Sequence, residues 1–170
     1  MKKWLGLLLV SVLLIGCGPS EPIPGSLGDV RQPIHILLNE HEVDGHTIAR
    51  HVDKPDDYLV LRLKHGSKLQ TVSTFSSLEV AEASINAVLN SNREQVARWW
   101  QGNLARQAFF ARVPTHGRYL TRDMWNRDGL GVKSIELSGN LVVRVVLVRK
   151  GDDFYVLSAF PQPDDYQEED

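Results

Sequence analysis

The segment Asp44-Gly45-His46-Thr47-Ile48-Ala49-Arg50-His51-Val52, with Arg62 shortly after it, places two imidazoles and a guanidinium in one short polar stretch. Imidazole exchanges protons near neutral pH, and guanidinium grips phosphate through a planar fork. Gly45 breaks any helix arriving from upstream, and Thr47 to Val52 has room for about one and a half helical turns. His46 and His51 are about 140° apart around such a helix. They share no face, which disfavours a two-histidine metal site there.

Reading outward, Asp53-Lys54-Pro55-Asp56-Asp57 has the character of a helix start, with Pro in the first turn and carboxylates at the positive end of the macrodipole. This helix is expected to reach Lys64 or His65 and to stop at Gly66. Upstream, Ile34 to Glu42 reads as a short helix with His35 and His41 on the surface. Leu69 to Phe75 is rich in β-formers and predicts a strand. Ser76-Ser77-Leu78-Glu79 matches a capping box, opening a helix to about Asn90. A further helix from Asn92 to Gly102 carries Trp99 and Trp100 as core residues.

From Ala108 the pattern turns to β. Phe109 to Val113 predicts a short strand, and Pro114 to Asp128 a long polar loop containing His116 and Trp125. Val132 to Leu137 and Leu141 to Arg149 predict two strands joined by a Ser138-Gly139-Asn140 hairpin. Gly151-Asp152-Asp153 turns the chain into a last strand, Phe154 to Phe160, ended by Pro161. Helices first and strands later predict an α+β fold, with amino-terminal helices packed on an antiparallel sheet. The sequence has no internal repeat, no GxGxxG, no P-loop and no cysteine-based metal motif.

The ends read differently from the middle. Lys2 and Lys3 precede an apolar run, Trp4 to Ile15, too short to span a bilayer as an ordinary helix. Leu14-Ile15-Gly16-Cys17 resembles a bacterial lipobox, in which the cysteine is diacylated and becomes the mature amino terminus. Residues 1–16 are thus expected to be a lipoprotein signal peptide. Residues 17–33, rich in Pro and Gly, are expected to be a lipidated cysteine and flexible tether. Gly18 is not Asp, so in a cell with two membranes the outer one is favoured; an envelope-anchored or exported protein is expected. Cys17 is the single cysteine of the 170 residues, so no intramolecular disulfide can form. The globular domain is expected over 34–161, followed by an acidic tail over 162–170.

The formal net charge is -2, but its distribution is uneven. Arg93 to Lys150 carries 11 Lys and Arg against 4 Asp and Glu, a surplus of +7 that suits an anionic polymer. The residues from Gly151 onward carry 7 acidic groups and no Lys or Arg.

Gly45-His46-Thr47, Arg50-His51-Val52, Arg62, Ser73-Thr74-Phe75 and Tyr155-Val156-Leu157-Ser158-Ala159-Phe160-Pro161, in this order and spacing, resemble the bacterial ribonuclease A-like toxin domain at the carboxyl ends of contact-dependent inhibition (CdiA) proteins. The resemblance spans roughly Ile34 to Pro161. It implies a ribonuclease A-like α+β fold without disulfides, and metal-independent cleavage of RNA with no cofactor. By position, His51 and Arg62 match the family's essential histidine and arginine. Ser158 stands where the family usually has Thr, keeping the hydroxyl without the β-branch. His46 and Thr74 match recurring positions, His46 as the candidate second acid or base and Thr74 as a substrate-binding residue. Transesterification needs a base for the ribose 2′-proton, an acid for the 5′-oxygen and a cation for the phosphorane. The partners implied are RNA, a membrane through Cys17, and a cognate immunity protein.

Two other readings compete. One is an envelope lipoprotein that keeps the fold as a polymer- or protein-binding module without activity. The other is a metal-binding lipoprotein using His41, His46 and His51.

Overall fold

The computed structural model describes residues 32–164. The expected signal peptide (1–16), Cys17, most of the tether and residues 165–170 of the acidic tail lie outside the described residues. The element order is α1 (Leu38–His41), α2 (Thr47–His51), α3 (Asp56–His65), β1 (Thr71–Phe75), α4 (Leu78–Ser91), α5 (Arg93–Gln101), β2 (Arg106–Thr121), α6 (Arg122–Asp128), a 3-10 turn (Gly129–Gly131), β3 (Ile135–Lys150) and β4 (Asp153–Pro161). The four strands form one antiparallel sheet in the order β1-β2-β3-β4. The α+β class, with helices on an antiparallel sheet, is as expected.

Two β expectations need correction. The short strand and long polar loop predicted over Phe109 to Asp128 are one 16-residue strand, β2, followed by α6. The hairpin predicted at Ser138-Gly139-Asn140 does not exist: these residues lie inside β3, opposite His116, Thr115 and Pro114 of β2. The two errors share a cause, because each half of the long ladder supplies the partner for the other. Pro114 is tolerated because β1 pairs only with residues 117–121, leaving one side of β2 open at that point. Gly117 is required where β1 crosses closely, since a Cβ there would lie 2.1 Å from the Thr74 carbonyl oxygen.

β1 lies against the far half of β2, and β4 against the far half of β3. The two outer strands nonetheless meet: the Ser73 hydroxyl donates to the Pro161 carbonyl at 2.6 Å. One face of the sheet packs on α4, burying Ile85, Val88, Leu89, Phe109, Val145, Leu147 and Phe154. On the other face, Leu59 and Leu63 of α3 pack with Val72 and Leu120. Each fully buried side chain of this kind contributes about 1.5–3 kcal/mol. That packing fixes the rotation of α3, and therefore the direction of Arg62.

The amino-terminal helix is shorter than expected, because Ile34 to Leu37 run extended along α4. The N–H groups of Ile34, Ile36 and Leu38 donate to side-chain oxygens of Asn90, Asn86 and Glu82 at 2.9, 2.6 and 2.8 Å. Two extended residues advance about as far as four helical ones, so alternate amides meet successive turns. His41, expected on the surface, is buried and stacked on Phe154. Gln162 is buried too, and its N–H donates to the Val142 carbonyl at 2.8 Å. The ordered chain therefore enters the stretch expected to be tail.

Candidate functional site

α2 is held by contacts that do not use its own capping residue. Glu42 reaches forward, accepting from the N–H groups of Ile48 and Ala49 at 2.9 and 2.7 Å. Gly45 passes so close to β4 that a Cβ would stand 2.3 Å from the Val156 carbonyl oxygen. This approach lets the His46 N–H donate to the Leu157 carbonyl at 2.9 Å. The His46 backbone is thereby tied to β4 at Leu157. At the other end, Val52 bridges to Phe75, and Asp53 turns the chain with a φ of 46°. Aspartate tolerates that left-handed conformation better than most residues. Lys150 pairs with Asp44, tying the end of β3 to the same loop.

His51 therefore ends α2 between the two outer strands. Its Nδ1 lies 3.1 Å from the Ser73 carbonyl oxygen. The Arg62 Nη1 stands 3.5 Å from the same nitrogen and donates to the Arg50 carbonyl at 3.3 Å. A carbonyl can only accept and a guanidinium can only donate. The shorter contact thus assigns the proton to Nδ1 and leaves Nε2 as the basic lone pair. Phe160 stacks on the ring, with centroids 5.0 Å apart and planes 21° from parallel. His51 is 5% exposed.

Burial, and after it the Arg62 charge, push the His51 pKa down to about 3, against the raising effect of the Ser73 bond. His46 is half-buried, and its pKa is lowered, chiefly by burial and then by Arg50. Arg62 also lies below its ordinary value, first because of burial. Such an array is short of negative charge, a condition that an incoming phosphate relieves.

Ser158, buried, lies two residues from Phe160 on the same face of β4, and the structure brings Arg62 against His51 and His46 near enough to act on its charge. It does not bring Thr74 to an accessible position. Thr74 is fully buried; its hydroxyl accepts from the Lys54 N–H at 3.0 Å and donates to the Phe75 carbonyl at 3.1 Å. Instead of facing a substrate, it secures the turn between α2 and α3. Sequence reasoning gave no role to the Ser73 carbonyl, Glu42 or the Phe160 ring. Phe160 was within reach of it, as part of the quoted closing motif; backbone acceptors carry no sequence signal.

Among the described residues, no group of three or more His, Cys, Asp or Glu is placed to hold a metal. His41, stacked on Phe154, is not among the groups gathered around His51.

Part of the basic surplus of residues 93–150 is committed to contacts within the fold. Arg149 donates to the carbonyls of Trp99, Trp100, Gly102 and Leu104, satisfying the exposed end of α5. Arg122 does the same for α3, through Leu63, Gly66 and Leu69. Acids outside this stretch offset others: Asp164 pairs with Arg112, Asp53 with Arg118 and Asp44 with Lys150. A count along the sequence therefore overstates the cationic surface.

Residues 45–161 match the family described as the bacterial CdiA-CT RNAse A domain. No curated protein sequence matches the chain. Among solved structures, it is similar to the crystal structure of a CdiA-CT/CdiI complex from Y. kristensenii, with a TM-score of 0.53 and 22% identity, covering 70% of this chain and 100% of that one. At that identity the likeness is one of fold.

Proposed function

The chain belongs to the bacterial CdiA-CT RNase A family, and from that premise we propose that it is a toxin-like endoribonuclease cleaving RNA by transesterification without a metal. The observation that carries this reading is the His51 geometry: Nδ1 committed to the Ser73 carbonyl at 3.1 Å, with the Arg62 guanidinium alongside. Nε2 of His51 takes the ribose 2′-proton as the 2′-oxygen attacks phosphorus. A protonated His46 gives its proton to the 5′-oxygen as the P–O5′ bond breaks. Arg62 and the Ser158 hydroxyl donate to the non-bridging oxygens, where negative charge grows. The phosphate itself raises the proton affinity of both imidazoles by supplying the charge the empty site lacks. The products are a 2′,3′-cyclic phosphate and a free 5′-hydroxyl. By analogy with the neighbour's CdiI, a cognate immunity protein would bind this chain.

A second reading, the fold kept as a binding module, rests on the 5% exposure of His51. Purified residues 32–170 incubated with single-stranded RNA in EDTA separate the two. The nuclease reading expects cyclic-phosphate ends and no cleavage of DNA, which lacks the 2′-hydroxyl. Intact RNA, or 3′-hydroxyl ends that require metal, would overturn it.

A further inference from the structure

β2 sends Phe109 and Val113 into the core against α4, which turns Phe110 and Arg112 to the opposite face. In the register of the sheet, Phe110 stands opposite Arg144, and Arg144 opposite Phe160. The side chains follow that register. The Arg144 guanidinium carbon is 5.5 Å from the Phe110 ring centre and 6.0 Å from the Phe160 ring centre. Phe160 in turn carries His51 at 5.0 Å. A row thus crosses three strands in the order Phe110, Arg144, Phe160, His51.

An exposed phenylalanine alone would be ordinary. A guanidinium held between two aromatic rings is a different surface: flat, π-faced and permanently cationic. Phe110 is 40% exposed at its outer end. Strands are about 4.8 Å apart, so Phe110 lies about 10 Å from Phe160. A base stacked there belongs to a nucleotide beside the scissile bond rather than to the one being cut.

Resting on the ribonuclease reading, we propose that Phe110 and Arg144 form a nucleobase-stacking subsite that holds a flanking nucleotide of single-stranded RNA. Every base has a π-face, so the subsite selects unpaired strands over duplexes and tolerates sequence. Arg144 adds attraction to the adjoining phosphate. Neither residue touches the reacting atoms, so their loss acts on binding rather than on the chemical step.

The test uses a fluorescent 2′-O-methyl RNA oligonucleotide, which cannot react, with cleavage of ordinary RNA measured in parallel. Phe110→Ala is expected to weaken probe binding roughly tenfold, the usual scale for one stacked base. It should raise KM by a similar factor and leave kcat near wild type. Phe110→Trp should restore binding, and its added indole fluorescence should be quenched by the probe. A probe abasic at the flanking position should bind wild type as weakly as the intact probe binds Phe110→Ala. Equal probe affinity in wild type and Phe110→Ala, or no binding by wild type, would overturn the subsite. Cleavage with unchanged KM in Phe110→Ala would overturn it and leave the nuclease reading standing. Phe110-dependent binding without cleavage by wild type would support the subsite and overturn the nuclease reading.

Discussion

The His51 ring lies on the Phe160 ring, with centroids 5.0 Å apart and planes 21° from parallel. The stack withdraws the imidazole from water, and the Arg62 guanidinium beside it opposes a second positive charge. Both effects hold His51 neutral far below the pH at which a free histidine protonates.

Stability should therefore depend on acid through this residue. In the unfolded chain the imidazole protonates below about pH 6.5, whereas in the fold it does so only near pH 3. Between these values the unfolded state binds more protons, so stability falls as pH falls. The upper bound on the loss is roughly 5 kcal/mol. Denaturant melts from pH 7 to pH 4 should show a steep decline in wild type and a shallower one in His51→Gln. Parallel declines would place the acid sensitivity elsewhere.

Activity should follow the same geometry. His51→Ala removes a proton-transfer group and should lower kcat by about 10²–10⁴-fold. Arg62→Lys keeps the charge but loses the fork, so turnover should still drop. Ser158→Thr should be neutral or beneficial, and Ser158→Ala impaired. Initial rates on single-stranded RNA measure all four, and undiminished cleavage by His51→Ala would remove His51 from the mechanism.

Gly45→Ala tests the close approach to β4. Its Cβ would stand 2.3 Å from the Val156 carbonyl oxygen, so α2 must move away. A cost of about 1–3 kcal/mol is expected, together with a fall in kcat as His46 is displaced. Gly131→Ala is the control, because nothing lies within 4 Å of a Cβ there. Equal melting temperatures for the two variants would mean that the approach is not tight in solution.

The arginines should divide into two groups. Arg149→Ala removes the guanidinium from four carbonyls, of which that of Trp99 keeps the Gly102 N–H, and should cost about 2 kcal/mol or more of stability. The Arg112–Asp164 pair has side chains 53% and 69% exposed, so its contribution to stability is within about 1 kcal/mol. Asp164→Ala should leave melting almost unchanged, yet tighten RNA binding at low salt by freeing Arg112. Anisotropy titrations at two salt concentrations read this directly, and weaker binding by Asp164→Ala would contradict it.

Location rests on sequence. From the Leu14-Ile15-Gly16-Cys17 motif we propose a mature protein attached to membrane through Cys17. Cys17→Ala should release the protein or stall its processing on fractionation. Wild-type protein found wholly soluble, with an unmodified thiol, would refute the anchor.

Much of the architecture was legible in the sequence. The helix stops at Gly66 and Gly102, the strand at Thr71–Phe75 and the Gly151 turn follow from local chemistry, and the structure has them. The helix starts differ in detail: Ser77 rather than Ser76 caps α4, through the Val80 N–H, and Pro55 precedes α3 instead of lying in its first turn. The length of β2 and β3 did not follow. Pro114, Gly117 and Ser138-Gly139-Asn140 have turn chemistry, and only the cross-strand partners, absent from any local window, make them strand. The site divides in the same way. Ionisable and hydroxyl side chains advertise themselves, which is how His51, Arg62, His46 and Ser158 become candidates from the sequence. Thr74 carried the same polar signal, yet its hydroxyl is spent on backbone. The carbonyl that orients His51 had no signal at all.

The extended segment along α4 bears on how the domain carries load. Ile34, Ile36 and Leu38 meet Asn90, Asn86 and Glu82 in antiparallel order. A pull on the chain from its amino-terminal side, directed along α4, strains these three bonds together rather than unzipping them one by one. The load then passes into α4 and the sheet beneath it, before it reaches the loop that sets His46 and His51. A tug on a tether would thus be borne by the strap, with the loop shielded until those bonds give way.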